Sequence, residues 1–285
     1  MFKQISSLLK LRIGIIMMLT ALAAMVVTPG QPLSGSEVLV LAFAVLISAG
    51  SAGAFNQYFE VDLDRLMQRT RNRPFVTGRF HKSPLWLLFI LLLLVAGVAS
   101  AALVLNGAAA LYIFLGAFFY AVIYTVWLKR RTWMNIVIGG ASGSFAVLAG
   151  AAAVDPAMSP VPILLALVLF FWTPSHFWSL AIAKHQDYAD AGVPLLPVVI
   201  GDKRTAEVVM VNTLILVGIS VLPFFFGLNW LYLAAAVSGG GYFIYCNYLM
   251  ILDPSVKLAM KSFFASLVQL VVLLAGAVLD VYLLG

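Results

Sequence analysis

The sequence predicts an all-α integral membrane protein with nine transmembrane helices. The mean hydropathy is +1.06 and only 10% of the residues are charged, whereas soluble globular domains carry about 25% charged residues. Long uncharged runs divide the chain, and a helix that crosses a bilayer needs about 20 apolar residues. These runs are too continuous for the strands of a membrane barrel, in which apolar and polar residues alternate.

Two of the uncharged runs have double length, and each is broken near its middle by a polar turn that contains glycine, "LNGA" at 105–108 and "FGLNW" at 226–230. We interpret the N-terminal "MFKQISSLLKLR" and the apolar run after it as a retained first helix, because a cleaved signal peptide would leave the charge pattern one helix short. The sequence therefore predicts a single transmembrane domain over residues 1–285, with helices near 11–28, 37–59, 85–105, 108–128, 133–154, 160–183, 206–226, 229–252 and 262–282.

The positive charges predict the orientation. With nine helices, all seventeen Lys and Arg residues fall at the end of the bundle that carries the N-terminus. The positive-inside rule then places the N-terminus and this end in the cytoplasm and the C-terminus outside a cell (plasma or inner) membrane. The net charge of +6 follows from this topology and requires no nucleic-acid partner. The single cysteine, Cys246, excludes an intramolecular disulfide.

Most of the acidic residues lie in two long loops at the basic end, near 60–84 and 184–206. The loops are four helices apart, and each follows the second helix of a group of four. This spacing predicts a weak internal repeat of two four-helix units with a ninth helix added. Membrane proteins built from repeats commonly place their site between the repeats.

The first acidic loop begins with three oxygen-bearing side chains that share a helical face. Asn56, Glu60 and Asp64 stand at i, i+4 and i+8, so they form one stripe if the second helix continues through them. Asp62 is out of this register, and we expect it to point elsewhere and to tolerate substitution better.

The second acidic loop offers Asp187 and Asp190, at i and i+3. Carboxylate and amide oxygens are ligands that Mg²⁺ prefers, so we expect a metal site made of both segments: Asn56, Glu60, Asp64, Asp187 and Asp190. Nearby bases in "RLMQRTRNRP" and "WLKRR" can bind phosphate oxygens, and the combination suits a diphosphate substrate. A solvated loop with internal salt bridges is the alternative, but it does not explain why the acids gather in two loops on the same side.

A histidine lies inside the sixth helix, in "FFWTPSHFWSLAIAKHQDY". His176 is roughly 10 Å from the helix end, and it shares a face with Asp187 if the helix continues to that residue. Trp172 and other aromatics surround it in the sequence. It either faces a functional cavity or bonds to a neighbouring helix within ordinary packing, and both readings stay open. Small residues at 139–144 leave room for a bulky ligand, with Asn135 near the mouth of the site.

These motifs resemble a known family. The pattern N-x-x-x-E-x-D-x-D-x-x-M-x-R-T-x-x-R-P, from Asn56 to Pro74, resembles the first acidic motif of the UbiA-type intramembrane prenyltransferases. "TPSHFWSLAI" and "DYADAGVPLLPVV" resemble signatures of the haem-modifying branch of that family, and the matches run from about residue 50 to 200. Glu60 stands where the motif more usually has Asp.

The resemblance implies nine helices around a central cavity, farnesyl diphosphate as donor, haem B as acceptor, Mg²⁺ as cofactor and haem O as product. A haem A synthase would be the downstream partner in the same membrane. On the family's pattern, the catalytic residues that hold Mg²⁺ and diphosphate are Asn56, Glu60, Asp64 and Asp187. The diphosphate oxygens would be bound by Arg69, Arg73, Lys129 and Arg130, and the haem by His176, Trp172 and Asn135.

Two other functions remain as alternatives. A related prenyltransferase would act on an aromatic quinone or chlorophyll precursor instead of haem. An ion-coupled transporter would use the acids for a coupling ion, but it would place broken helices near the middle of the membrane, whereas these acids lie at one surface.

Overall fold

The computed structural model describes residues 2–285, and all the regular secondary structure in this range is helical. The first six helices are α1 (Phe2–Leu8), α2 (Leu11–Val27), α3 (Gly35–Phe59), α4 (Val61–Leu66), α5 (Pro84–Val104) and α6 (Gly107–Phe118), which continues as a π-helix (Phe119–Leu128). The later helices are α7 (Asn135–Val154), α8 (Pro160–Ala183), α9 (His185–Asp190), α10 (Leu196–Ile200), α11 (Asp202–Val221), which continues as a 3₁₀-helix (Leu222–Phe226), α12 (Trp230–Leu252) and α13 (Val256–Leu284).

Eight of these helices are long and apolar enough to cross a membrane, counting α6 and α11 with their continuations. The predicted all-α membrane class is therefore confirmed. The first predicted span corresponds to α2, which is apolar but only 17 residues long. The count of nine spans stays a prediction.

The long helices form a closed bundle. Each one packs against the next long helix in the chain, and α13 returns to pack against α2 and α8. α2 and α7 approach each other closely, because a Cβ placed on Gly150 would lie 1.9 Å from the carbonyl oxygen of Ala21. Backbone contact of this kind is typical of small residues in membrane helix interfaces.

The same local arrangement follows α3 and α8. In each case one residue outside regular helix geometry is followed by a six-residue helix that carries acidic side chains. These junction residues are Glu60 (φ −95°, ψ 22°) before α4 and Lys184 (φ −121°, ψ 27°) before α9. The two acidic segments thus occupy corresponding positions, as expected for a repeated unit.

The π-helix lies directly before the basic sequence "KRR". Its i→i+5 hydrogen bonds include the one from the Lys129 amide to the Tyr124 carbonyl, at 2.9 Å. From this segment Thr125 contacts Asn56 on α3, and Lys129, directly after it, contacts Glu60. Short π-helical segments occur frequently at functional sites.

Candidate active site

Three polar side chains form a buried stripe at the junction of α3 and α4. Asn56, Glu60 and Asp64 are each at most 2% exposed. Although α3 ends at Phe59, the amide of Glu60 bonds to the Asn56 carbonyl at 3.0 Å and the amide of Asp64 bonds to the Glu60 carbonyl at 2.8 Å. The i, i+4 spacing therefore persists through the junction. Asp62 lies outside this stripe, with a side chain that is 66% exposed.

Basic side chains from three separate parts of the chain contact the stripe. Lys129 Nζ is 2.5 Å from Glu60 Oε2, and Arg73 Nη1 donates to both oxygens of Asp64 at 2.7 and 2.8 Å. Lys10 Nζ donates to Asn56 Oδ1 at 2.6 Å. Three cations thus face two carboxylates, which leaves this cluster with one excess positive charge.

The role of Lys10 was not predicted from the sequence. It stands between α1 and α2 in the left-handed conformation (φ 47°), which turns its side chain toward α3. Gly53 on α3 permits this, because a Cβ there would lie only 3.3 Å from the Lys10 side chain. The ammonium also donates to the Tyr120 hydroxyl at 2.7 Å. Its position next to "LRIGIIMM", at the membrane boundary, is the only sequence signal that could have identified it.

The π-helix supplies aromatic and hydroxyl groups to the cluster. The rings of Tyr120 and Tyr124 stack with centroids 5.6 Å apart. Lys10 Nζ is 5.2 Å from the Tyr120 centroid and Lys129 Nζ is 5.6 Å from the Tyr124 centroid, both within cation–π range. Thr125 Oγ1 accepts a hydrogen bond from Asn56 Nδ2 at 3.0 Å. These ring faces can therefore stabilise positive charge in the site.

The electrostatics of the cluster favour a bound anion. Burial, together with repulsion from Arg73 and Lys129, holds the pKa of Lys10 well below its usual value. Burial likewise lowers the pKa of Lys129, while the Glu60 carboxylate partly opposes this. A negatively charged ligand would relieve the repulsion among the three cations.

The donor set of the stripe fits a divalent cation. Glu60 Oε1 is buried and has no hydrogen-bond partner among the described residues, although its neighbour Oε2 has two. Asn56 Oδ1 and the Asp64 carboxylate add hard oxygen donors, and ammonium groups already stand beside two members of the stripe.

The second acidic segment does not join this stripe in a metal cluster. Within residues 2–285, no three Asp, Glu, His or Cys side chains meet in a group that could hold a metal. Asp187 is half-buried, and Asp190 is exposed and accepts from Gln186 at 2.6 Å. The five-residue metal site stays a prediction.

Two of the predicted phosphate-binding arginines lie apart from the buried ion pairs. Arg69 is exposed and links the two acidic segments by donating from Nη2 to the Tyr188 hydroxyl at 3.3 Å. Tyr188 itself is fully buried and was not predicted from the sequence. Arg130 binds Asp62 through both of its terminal nitrogens, at 2.7 and 2.8 Å. The prediction that groups Arg130 with Lys129 differs from the structure, because Asp62 holds it on the outer side of α4.

A second constellation surrounds His176 on α8. Its ring lies between the rings of Trp172 (4.2 Å) and Phe263 (4.3 Å), both nearly parallel to it. Nδ1 is 2.7 Å from Ser266 Oγ on α13. The Ser266 hydroxyl donates its single proton to the Phe263 carbonyl at 2.6 Å, so Nδ1 must donate to Ser266. The neutral ring then carries its lone pair on Nε2, which is the nitrogen that can accept a hydrogen bond or bind iron.

Two further predictions concern the helix between His176 and Asp187 and the position of Asn135. α8 ends at Ala183, and Lys184 leads into α9. The i, i+4 backbone bonds cross this junction as they do at Glu60, with the Lys184 amide 3.0 Å from the Leu180 carbonyl and the Tyr188 amide 3.3 Å from the Lys184 carbonyl. The common face of His176 and Asp187 stays a prediction. Asn135 is fully buried, and its Nδ2 donates to the Lys129 carbonyl at 3.2 Å while Oδ1 lacks a partner within the described range. It therefore lies beside the Lys129–Glu60 pair.

Comparison with known proteins decides the family. The model for the UbiA prenyltransferase family matches residues 17–268. The chain belongs to the UbiA prenyltransferase family. It is 54% identical over 283 residues to protoheme IX farnesyltransferase 2 of Paramagnetospirillum magneticum, covering 99% of this chain and 98% of that protein.

Solved structures of the UbiA fold superpose on nearly the whole chain. A membrane digeranylgeranylglyceryl phosphate synthase structure gives a TM-score of 0.82 at 18% identity and covers 98% of both chains. A UbiA homologue from Archaeoglobus fulgidus, bound to DMAPP and Mg²⁺, gives 0.72 at 16% identity and covers 95% of this chain and 99% of that one. At these identities the likeness establishes the UbiA fold.

Proposed function

We propose that this chain transfers a farnesyl group from farnesyl diphosphate to a vinyl group of haem B, with addition of water, and so forms haem O and diphosphate. The 54% identity to a protoheme IX farnesyltransferase, over almost the full length of both chains, supports this reaction. Within the structure, the single observation that supports it best is the buried cluster of Lys10, Arg73 and Lys129 around two carboxylates, with its excess of positive charge.

The three cations would bind the oxygens of the diphosphate group. Charge-assisted hydrogen bonds to phosphate are strong, and they strengthen further as the leaving group gains negative charge. Breaking the bond between C1 of the farnesyl chain and its oxygen leaves both electrons on the departing diphosphate. Lys10 and Lys129 are partly or fully buried, so solvent screens their attraction for this charge only weakly.

The aromatic groups would protect and stabilise the allylic cation. The stacked faces of Tyr120 and Tyr124 already lie next to two ammonium groups, which shows that they can face positive charge. The π electrons of the haem vinyl group then form the new bond to C1. Water adds to the resulting cation next to the porphyrin and releases one proton, which completes the hydroxyethylfarnesyl group.

The haem would bind on the side of His176. Ser266 fixes the ring as the tautomer with a free lone pair on Nε2, and Trp172 and Phe263 hold its plane. This pre-orientation supports a contact with haem iron or with a haem propionate. Gln269, one turn beyond Ser266, is fully buried with both amide atoms unpaired among the described residues, so it adds free hydrogen-bonding capacity to this region.

Mg²⁺ would be held by Asn56, Glu60 and Asp64, with Asp187 and Asp190 as predicted further ligands. When bound, it would supply positive charge to the diphosphate oxygens. The unpaired Oε1 of Glu60 supports this assignment. If Asn56 Oδ1 bound Mg²⁺, Lys10 would lose its hydrogen bond to this oxygen. The Lys10 ammonium would then be free to donate to a phosphate oxygen of the substrate.

We also propose that the active site faces the cytoplasm. The seventeen Lys and Arg residues all belong to α1, to the ends of helices, or to connecting segments at the end of the bundle that carries the acidic cluster. A reporter fused after Gly285 should then lie on the side of the membrane opposite the cytoplasm, and a cytoplasmic C-terminus would contradict this orientation.

The mass of haem extracted from membranes that express the chain tests the proposal directly. We expect haem B to gain the mass of one farnesyl group and one hydroxyl group, and this product to disappear in Asp64→Asn. Asp62→Asn is the matched control, since Asp62 is exposed and outside the buried stripe. Unmodified haem in the wild-type membranes would overturn the assignment. Prenylation of an aromatic acid by a haem-free preparation would support the quinone-precursor alternative instead.

A further inference from the structure

A crevice opens on the outer side of the bundle between α3, α5 and the segment formed by α6 and its π-helix. At the basic end of the bundle it forms an open cavity of about 590 Å³, lined by Phe59, Val61, Asp62, Arg65, Lys82, Val126, Arg130 and Arg131. Deeper along the same helices lies an apolar cavity of about 230 Å³, with a lining that includes Phe55, Leu87, Leu91, Phe114, Ala121 and Val122. The buried active-site cluster shares no lining residue with either cavity.

The two cavities lie one above the other along the same walls. Phe55 lines the deep cavity and Phe59 lines the mouth; they are one turn apart on α3 and their rings stack with centroids 5.9 Å apart. Val122 and Val126 repeat this relation on the π-helix. The crevice therefore has a charged cavity at its mouth and an apolar cavity one turn deeper along the same helices. This order of a polar and an apolar part matches that of an amphiphilic ligand.

The mouth carries a net positive charge. Four basic residues and one acid line it, which gives +4 − 1 = +3. Asp62 is taken up by the two-pronged ion pair with Arg130. Arg65, Lys82 and Arg131 are exposed and have no ion-pair partner within the part of the chain that the structure describes. These three cations are available to an anion that arrives from outside the bundle.

The walls of the crevice face lipid. Leu87 and Leu91 on α5 and Phe114 on α6 are exposed hydrophobic residues in helices apolar enough to span the bilayer. The deep cavity thus opens to acyl chains, while the mouth lies at the level of the head groups. Basic pockets between transmembrane helices on the cytoplasmic side are suited to anionic lipid head groups.

We propose that this crevice binds one anionic phospholipid, with the phosphate among Arg65, Lys82 and Arg131 and one acyl chain in the apolar cavity. The site is distinct from the farnesyl diphosphate site, and the proposal does not depend on the reaction that the protein catalyses. Each Lys or Arg near an anionic lipid contributes on the order of a fivefold gain in binding, so three should give roughly 100-fold selectivity over a zwitterionic lipid.

Native mass spectrometry of the full chain in detergent tests this. The protein is equilibrated with equal amounts of dioleoyl phosphatidylglycerol and dioleoyl phosphatidylcholine, which carry the same acyl chains. We expect one retained phosphatidylglycerol, with at least a tenfold preference. The triple substitution Arg65→Gln, Lys82→Gln, Arg131→Gln should reduce the preference to within about twofold. If the triple variant does not fold, Lys82→Gln alone should lower the preference by about fivefold.

Two further variants separate the crevice from general surface charge. Lys203→Gln with Lys257→Gln removes exposed charge at the same end of the bundle but outside the crevice, so the preference should remain. Ala121→Trp fills the apolar cavity and should reduce phospholipid retention with the basic residues intact.

Four outcomes would overturn the proposal: equal retention of both lipids by the wild type, an unchanged preference in the triple variant, displacement by glycerol 3-phosphate, which lacks acyl chains, or stoichiometric displacement by farnesyl diphosphate. The last outcome would assign the crevice to the prenyl donor.

Discussion

Asp62 and Asp64 offer a direct test of how the buried cluster works, because they are only two residues apart and have opposite environments. The Asp64 side chain is 2% exposed and accepts two hydrogen bonds from Arg73, which is itself 16% exposed. The Asp62 carboxylate is 66% exposed and its partner Arg130 is 40% exposed. Replacing each aspartate by asparagine removes one negative charge and almost no volume, so the two variants differ only in environment.

The free energies of unfolding should differ accordingly. Removing one partner of a buried ion pair costs about 3–5 kcal/mol because the other charge stays buried and unpaired. An exposed pair contributes about 0–1 kcal/mol. We expect Asp64→Asn to lie near the lower end of its range, since the asparagine oxygen still accepts one bond from Arg73. At about 2 °C per kcal/mol, its melting temperature should fall by roughly 5 °C, and that of Asp62→Asn by at most about 2 °C.

Thermal unfolding in detergent, combined with haem O formation in membranes, measures both effects. Asp64→Asn should lose the product and Asp62→Asn should keep it. The double variant Asp64→Asn, Arg73→Gln removes both charges, so it should regain much of the lost stability without regaining activity. Equal losses in Asp62→Asn and Asp64→Asn would refute the distinction between the buried stripe and the exposed carboxylate.

The pH dependence of Asp62 gives an independent check. Hydrogen bonds from Arg130 lower the pKa of Asp62 to about 2. A lowered pKa means that the pair contributes its stability above the unfolded-state pKa of about 3.9 and loses it as the pH falls toward about 2. We therefore expect Asp62→Asn to lower the melting temperature slightly at pH 6 and to have no effect near pH 2. An effect that grows with acidification would contradict this pairing.

Three further substitutions test other contacts. Lys10→Met should reduce kcat/KM for farnesyl diphosphate at least tenfold, because it removes an ammonium from the cluster. Steady-state kinetics at varied farnesyl diphosphate concentration measure this, and an unchanged value would exclude Lys10 from phosphate binding. Ser266→Ala should weaken haem binding by about fivefold to tenfold, and less than His176→Ala, because it no longer fixes the imidazole tautomer but keeps the ring. Haem titration followed by absorbance measures the affinities, and equal affinity in the wild type and both variants would remove His176 from the haem site. Gly150→Ala should prevent a stable fold, since its Cβ would lie 1.9 Å from the Ala21 carbonyl oxygen, whereas Gly143→Ala, with its nearest neighbour at 3.6 Å, should be tolerated. The monodisperse fraction after purification measures this, and a well-folded Gly150→Ala would show that α2 and α7 can separate.

The fold class could be predicted from hydropathy and charge because a bilayer demands long apolar helices and leaves the charges at their ends. Glycine-containing turns also located the breaks within the two double-length runs. The short helices in the acidic loops could not be predicted, because no hydrophobic period marks six-residue segments such as Val61–Leu66. The π-helical continuation of α6 has the same apolar composition that an α-helix would have.

The candidate site was predictable where it depends on local spacing. Asn56, Glu60 and Asp64 share a face because the i, i+4 backbone bonds persist through the junction. The partners of these residues could not be predicted. Lys10 lies 46 residues from Asn56 in the chain, and helical spacing contains no information about contacts at that separation.

The break after α8 could not be located from the sequence. Lys184 ends α8 without a glycine or a proline to mark the position. The break at Glu60 is equally unmarked, and at both junctions the i, i+4 backbone bonds continue from the long helix into the short one.

The π-helix lets the chain carry one extra residue without moving the charges that follow it. A π-turn accommodates one more residue than an α-turn, so deleting a single lipid-facing residue such as Val122 would let the segment relax into an ordinary α-helix. The lost residue and the lost wider turn would then compensate each other, so Lys129 would keep its position beside Glu60. In genetic terms, an in-frame deletion of one codon in this segment should be tolerated better than the same deletion in a regular helix such as α7, where it would rotate all the following residues by about 100°.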